Sequence, residues 1–128
     1  MSLLQRLVGT FAVAVAVAAC GCARHDPTPL ELADFTTRAV YDADVPRATT
    51  YFDARLRSSV TPRSVTDVSK LMHRYGSYQG VAQQIEISKN ARYDFEALFS
   101  QGSMLVQMRL GEGGKTITAF RLVPNEGR

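Results

Sequence analysis

The side chains best suited to acid–base chemistry in this sequence are carboxylates and their aromatic neighbours. A carboxylate buried in an apolar pocket has its pKa raised toward neutral pH, which makes it a usable general base, and a nearby tyrosine or histidine can pass on the proton. The candidate bases are Asp34, Asp53, Asp94 and Glu96, and the candidate partners are Tyr41, Tyr51, Tyr93 and His73. Each carboxylate has an arginine nearby in the chain or on its predicted strand face, so the simpler interpretation is a solvated charge.

Motifs for other common chemistries are absent from the sequence. His25 and His73 lie in different regions, and neither Cys nor His recurs at the spacing of metal ligands. There is no Gly-x-Ser-x-Gly elbow, phosphate-binding loop or dinucleotide fingerprint, and the glycines of Gly111–Gly114 are typical of a hairpin turn. We therefore expect no metal and no cofactor.

The N-terminal segment has the layout of an export signal. Arg6 lies in a short start, and an apolar run of 13 residues, Leu7–Ala19, follows it and ends in small residues. A membrane-spanning helix needs about 20 apolar residues, so an uncleaved signal anchor is the weaker alternative. Residues 1–19 are predicted to be removed as a signal peptide.

The signal ends in a motif that predicts lipid attachment. Val17-Ala18-Ala19-Cys20 is similar to the lipobox of bacterial lipoproteins, in which an aliphatic residue and two small residues precede the cysteine. The likeness implies that diacylglycerol is attached to the sulfur of Cys20 and that its two acyl chains hold the protein at the membrane. Cys22 is the alternative site, in a poorer match, and is otherwise a free thiol. The domain is expected outside the cytoplasm, anchored to the bacterial cell membrane or outer membrane.

Composition and charge are typical of one folded domain and argue against nucleic-acid binding. The 128 residues are 45% hydrophobic and 21% charged, with a formal net charge of +3, as in ordinary globular chains. Arginines are interspersed with acids, as Arg38 is with Asp34 and Asp42, and the sequence has no basic block. Nucleic-acid binding needs clustered Lys and Arg on one face, so we expect no nucleic-acid partner.

Beyond the lipidation site, a tether leads into helices. The predicted segments after the signal peptide are a lipidated tether at 20–29, a globular domain at 30–124 and a tail at 125–128. Apolar residues at helical spacing predict helices over 30–43, 44–58 and 61–76. Thr28 is a suitable cap for the first helix, and Gly76 a suitable end for the third.

After Gly80 the apolar pattern alternates, as in strands. Strands are predicted over 81–88, 93–99, 104–110 and 115–123, with short turns between them. Val81, Ile85 and Ile87 make one face of the first strand apolar. Thr116, Thr118, Phe120 and Leu122 are predicted to share one side of the fourth. Helices followed by strands indicate an α+β fold, with three N-terminal helices packed on a curved four-stranded antiparallel sheet.

Short motifs spread over the domain carry a resemblance to a known superfamily. They are Asp42-Ala43-Asp44, Tyr51-Phe52-Asp53-Ala54-Arg55-Leu56, Thr61-Pro62, Tyr75-Gly76-Ser77-Tyr78 and Gly113-Gly114-Lys115-Thr116-Ile117-Thr118-Ala119-Phe120. Through them, residues 30–123 resemble the nuclear-transport-factor-2-like (cystatin-like cone) superfamily, and within it the extracytoplasmic family called domain of unknown function 3887. The resemblance implies a cone in which helices close over the concave sheet face. Related cones include small isomerases and cyclases, but no candidate base here matches a family catalytic motif.

The pocket expected between the sheet and the first helix is apolar, because the first strand turns its apolar face toward it. Polar groups are expected only at its mouth, from Tyr41, Tyr51 or His73. Such a pocket favours binding over catalysis. The expected function is a non-catalytic envelope module that binds an unidentified small molecule or envelope protein; the alternatives are a small-pocket enzyme that moves a proton and a structural domain that forms a homodimer.

Overall fold

The computed structural model describes residues 26–87 and 91–125, with the backbone alone for 83–87. Four helices precede four strands in this part of the chain. The elements are α1 (Pro29–Tyr41), α2 (Val45–Ala48), α3 (Ala54–Ser59), α4 (Pro62–His73), β1 (Tyr78–Ile87), β2 (Arg92–Phe99), β3 (Gly102–Leu110) and β4 (Ile117–Pro124). The predicted signal peptide, Cys20 and Cys22 lie outside the described residues. Among the helices of the described ranges, none is long and apolar enough to cross a membrane.

Both long helices begin at a threonine cap, and that of α1 is the predicted Thr28. The hydroxyl of Thr28 accepts a hydrogen bond from the backbone N–H of Glu31 (3.2 Å), and the Glu31 carboxylate accepts one from the N–H of Thr28 (2.8 Å). Thr61 and Ser64 form the same reciprocal pair at the start of α4. A proline follows each cap in the first turn, where its missing N–H costs no hydrogen bond.

The single helix predicted over 44–58 is wrong, because the structure has two short helices there, α2 and α3. Between them, the N–H of Asp53 donates to the Ile117 carbonyl (3.0 Å), and the N–H of Ile117 donates to the Tyr51 carbonyl (2.8 Å). These bonds pair Phe52 with β4 as a parallel bridge. Backbone groups that bind a strand cannot also bind within a helix, so the predicted count of three helices becomes four in the described residues.

The four strands form one antiparallel meander in the order β1-β2-β3-β4, as predicted. β2 and β3 pair without interruption from Arg92 opposite Arg109 to Phe99 opposite Gly102. Alternate side chains on this pair face the helices and form the centre of the core. They are Phe95, Ala97 and Phe99 on β2, and Met104, Val106, Met108 and Leu110 on β3. The predicted α+β class is therefore confirmed.

The face predicted for β4 is wrong at its first residues because a β-bulge shifts the register. Arg109 pairs with Ala119, but Leu110 pairs with Ile117, so the extra residue Thr118 is left between them. The shift turns Ile117 into the core, where it is 0% exposed. Phe120 and Leu122 share one side of β4, as predicted, and pack against the core.

The helices cover one face of the sheet, with α1 at the centre of the layer. α1 contacts α2, α4 and the strands β1, β2 and β3, while α3 contacts β4. The buried side chains of α1 include Leu32, Ala33, Ala39 and Val40. The opposite face of β2, β3 and β4 carries half-buried and exposed side chains.

Candidate functional site

An apolar pocket of about 300 Å³ lies between α3, α4 and the inner side of β4. Most of its lining is hydrocarbon, and the lining includes Val40, Phe52, Leu56, Val60, Val68 and Leu122. Its polar lining residues are Ser59, Ser64 and Arg121, and no carboxylate lines it. We call this cavity the α3–β4 pocket. The apolar pocket predicted between the first strand and the first helix is wrong, because the concavity between α1 and β1 is lined by charged residues that include Asp34 and Arg38. The α3–β4 pocket lies elsewhere on the helix-covered side and includes no residue of β1.

The break between α2 and α3 builds one wall of this pocket. The bridge to Ile117 fixes Phe52 beside β4, and the Asp53 carboxylate then caps α3 by accepting from the N–H of Leu56 (2.8 Å). The Arg57 guanidinium donates to the carbonyls of Thr49 (3.1 Å) and Phe52 (3.2 Å), which holds the two short helices together. α3 is thereby set apart from α4, and Leu56 faces the gap.

Tyr41, Tyr51 and His73, the residues predicted for a pocket mouth, do not line the α3–β4 pocket. Tyr41 stacks on His73, with ring centroids 3.9 Å apart, and donates to the Gly76 carbonyl (2.9 Å). His73 Nδ1 lies 2.8 Å from the Ser69 carbonyl oxygen. Tyr51 packs edge-on against the ring of Phe35. Tyr41 and His73 therefore join α1 to the end of α4.

Asp34 is the one candidate base in hydrogen-bond contact with a tyrosine, and that tyrosine is Tyr78. The Tyr78 hydroxyl donates to Asp34 Oδ1 at 2.6 Å, and Arg38 Nη2 lies 3.6 Å from the same oxygen. The Arg38 guanidinium carbon also lies 4.9 Å from the centre of the Tyr78 ring. The sequence prediction pairs the candidate bases with other tyrosines. Asp34 and Tyr78 meet where α1 crosses β1, and no sequence pattern near either residue indicates that contact.

The Asp34–Tyr78 pair has the electrostatics of a structural tie. Burial, followed by the hydrogen bond to Asp34 and the negative charge of that carboxylate, raises the pKa of Tyr78 far above its usual value, against a smaller opposing effect of Arg38. The phenol therefore stays protonated and donates. The Asp34 side chain is 39% exposed, so water reaches the carboxylate and the site is no closed cavity of the kind a general base needs.

None of the other candidate carboxylates hydrogen-bonds a tyrosine in the described residues, although Asp94 and Glu96, two residues apart on β2, share one face of the sheet. Asp53 caps α3, as described above. Asp94 Oδ1 lies 4.0 Å from Arg92 Nε, and a Glu96 oxygen lies 3.4 Å from the Asn125 amide nitrogen, which donates to it. Tyr93 stacks parallel to Phe95. No group of three or more potential metal ligands occurs within residues 26–87 and 91–125.

We expect Tyr78→Phe to lower the free energy of unfolding by about 1 kcal/mol, because the substitution removes one hydrogen bond to a charged but partly solvated carboxylate. Urea denaturation at neutral pH measures the loss. Tyr93→Phe is the matched control, since no hydrogen bond of the Tyr93 hydroxyl is present in the described residues. A loss no larger than that of the control would contradict the structural role of the pair.

The Tyr78 hydroxyl makes the stability of the folded protein depend on pH in the alkaline range. The pKa of Tyr78 in the folded protein is above the value of 10.0 that a free tyrosine has. The unfolded chain therefore releases this proton first, so the stabilisation is complete below about pH 10 and falls as the pH rises further. The measurement is the urea midpoint from about pH 9 to about pH 11, roughly one unit either side of the pKa of a free tyrosine. As the pH rises through this range, the midpoint of Tyr78→Phe should fall less steeply than that of the wild type.

No family model, no curated protein and no solved structure matches the chain. The function proposed below therefore rests on the geometry of the described residues.

Proposed function

We propose that this chain is a lipid-anchored, non-catalytic binding domain of the bacterial cell envelope, held at the membrane through Cys20. In this proposal the α3–β4 pocket takes an apolar small molecule or the apolar part of a larger one. The fold is proposed to be a cystatin-like cone, which is consistent with an antiparallel meander covered on one face by helices. The observation that carries the proposed binding role is that hydrocarbon side chains form most of the pocket's lining.

The polar groups of the pocket do not support catalysis. The Ser59 hydroxyl donates to the Leu56 carbonyl (2.7 Å), and the Ser64 hydroxyl donates to the Thr61 carbonyl (2.8 Å). Neither serine is therefore placed as an activated nucleophile, and no histidine or carboxylate lines the pocket to act as a base. Hydrocarbon walls with few polar groups are typical of ligand pockets.

A proton-transfer enzyme is the second candidate, and the Asp34–Tyr78 hydrogen bond is the observation that favours it. The pair lies beside a second concavity of about 320 Å³, whose lining includes Asp34, Arg38 and Val81. Asp34 accepts the hydrogen bond from Tyr78, is ion-paired with Arg38 and is partly exposed, and Tyr78 keeps its proton, so the contacts of the pair are those of a structural tie. We accordingly expect Asp34→Ala to leave the protein's cellular role unchanged.

Filling the α3–β4 pocket tests the binding proposal. Val68→Phe on α4 places an aromatic ring where the pocket has space, and it is expected to weaken binding of the neutral fluorophore N-phenylnaphthylamine by about tenfold or more. Thr66→Phe is the matched control, because Thr66 is exposed on the same helix and does not line the pocket.

Fluorescence titration of the purified full chain in a non-ionic detergent gives both affinities, and circular dichroism shows that each variant keeps its fold. The control variant should bind as the wild type does. Equal binding by Val68→Phe and the wild type, or no saturable binding by the wild type, would contradict the proposal.

A further inference from the structure

The sheet gathers arginines that are far apart in the sequence. Arg92 on β2 lies directly opposite Arg109 on β3, and Gln107, two residues before Arg109, lies opposite Arg121 on β4. Directly paired residues, and residues two apart on a strand, point to the same face of a sheet. The three arginines therefore share the face opposite the helices. We call Arg92, Arg109 and Arg121, with Gln107 between them, the arginine patch.

The charges of the patch are not balanced within the described residues. Like charges directly opposite one another on neighbouring strands destabilise a sheet, and Arg92 and Arg109 are such a pair. Asp94 shares this face, because it pairs with Gln107, and its Oδ1 lies 4.0 Å from Arg92 Nε, so it offsets part of the charge of Arg92. Arg109 and Arg121 make no ion pair and no side-chain hydrogen bond in residues 26–87 and 91–125.

Other arginines of the described chain contrast with the patch. Arg38 pairs with Asp34, Arg47 with Asp42 and Asp44, and Arg63 with Asp67. These pairs are local, because each joins residues three to five apart in the sequence. The arginine patch is instead a product of strand pairing, and it concentrates positive charge on one part of the sheet.

A concavity of about 230 Å³ lies among these side chains and is lined by all three arginines and Gln107. Ala119 pairs with Arg109 and carries only a methyl group, which leaves the concavity open beside β4. The Arg92 side chain makes no hydrogen bond in the described residues, since its Nε lies 4.0 Å from Asp94 Oδ1, so its guanidinium N–H groups remain available as donors. Guanidinium groups bind phosphate oxygens through two parallel hydrogen bonds, and a glutamine amide adds a further donor.

We propose that the arginine patch binds a phosphate group. The anion occupies the concavity, accepts hydrogen bonds from the guanidinium groups, and offsets the repulsion between Arg92 and Arg109. Phosphate esters in solution and the headgroups of anionic phospholipids present the same chemistry, and the experiment separates these two sources. This site goes beyond the proposed apolar binding function, because its concavity is lined by Arg92, Gln107 and Arg109, which do not line the α3–β4 pocket; Arg121 lines both.

The test uses the full chain in a non-ionic detergent at low ionic strength, where charge interactions are least screened. One arm titrates inorganic pyrophosphate by calorimetry; the other titrates dihexanoyl phosphatidylglycerol, with dihexanoyl phosphatidylcholine as the lipid without net charge. The variants are Arg109→Gln, Arg121→Gln and the double variant. Arg74→Gln is the matched control, because Arg74 is another exposed arginine that makes no ion pair in the described part of the chain, and it lies at the end of α4.

Each single variant is expected to weaken binding by about tenfold, as the loss of a charge-assisted hydrogen bond predicts, and Arg74→Gln should bind within about twofold of the wild type. Binding of pyrophosphate alone identifies a soluble phosphate ester, binding of phosphatidylglycerol alone identifies a headgroup, and binding of both identifies the phosphate group as sufficient. Each of these results supports the site. Equal binding by the wild type and the double variant in both arms would overturn it.

The melting temperature distinguishes loss of the anion site from loss of folding, because a variant that folds poorly would melt at a lower temperature. Without an anion, Arg109→Gln is expected to raise the melting temperature by about 2 °C, because it removes a like-charge pair. Pyrophosphate should raise the melting temperature of the wild type and leave that of the double variant unchanged. A lower melting temperature for Arg109→Gln without the anion would show that the arginine stabilises the sheet, and would overturn the proposed role of the anion.

Discussion

Cells that produce the Cys20→Ser variant are expected to accumulate an unprocessed precursor that carries no lipid. The serine hydroxyl cannot form the thioether to diacylglycerol, and the predicted cleavage before residue 20 follows lipid attachment. The expectation comes from the match of Val17-Ala18-Ala19-Cys20 to the lipobox and from an apolar run of 13 residues, Leu7–Ala19, which is shorter than a spanning helix. A fatty acid with an alkyne label, followed by gel electrophoresis, measures both the lipid and the size of the chain.

Cys22→Ser is the matched control for the anchor, because it changes a neighbouring cysteine and leaves the motif intact. It should incorporate the labelled fatty acid as the wild type does and appear at the mature size. Two acyl chains give a durable anchor, whereas one holds only marginally, so the mature control should stay in the membrane fraction. Labelling of the Cys20→Ser chain would move the attachment site to Cys22 and would make the predicted cleavage position wrong.

Phe95→Ala is expected to lower the free energy of unfolding by about 3–5 kcal/mol, which is the usual cost of truncating a buried phenylalanine. Phe95 is 0% exposed on the second of the four strands, and it lies directly opposite the equally buried Val106. A domain of this size is stable by only about 5–15 kcal/mol, so the variant loses much of its stability. Urea denaturation followed by circular dichroism measures the difference.

The control for the core is Leu98→Ala on the same strand, where Leu98 is 37% exposed. It should cost less than about 1 kcal/mol, because little apolar area is lost from the interior. Both measurements use a chain that begins at Pro27, for which we expect mixed helix and strand content and a cooperative melt. Similar losses for the two variants, or a transition that is not cooperative, would show that the described sheet face is not the core.

Local sequence features predicted the elements that depend on local interactions. Thr28 and Thr61, each followed by a proline, mark helix starts because a side-chain cap needs only the next three residues. The alternating apolar residues of β2 and β3 predict the buried face because those strands pair without a register shift. The short turns between strands then lead to the antiparallel meander.

Features that depend on distant pairing were not predicted. The chain at Tyr51–Asp53 leaves the helix because it binds Ile117, and the bulge at Thr118 turns Ile117 toward the core at the start of β4. The same reason applies to the candidate sites. Asp34 and Tyr78 are 44 residues apart in the sequence, and the arginine patch needs three strands in register.

Methyl-resolved NMR of the full chain, titrated with N-phenylnaphthylamine, tests the central proposal most directly because it shows where an apolar molecule binds. The proposal predicts that saturable shifts are confined to methyl groups that line the α3–β4 pocket, such as those of Val60, Val68 and Leu122. Leu30 and Val81, which line the concavity beside Asp34, should not shift. Saturable shifts at Leu30 and Val81 with none in the α3–β4 pocket, or no saturable shifts at all, would contradict it.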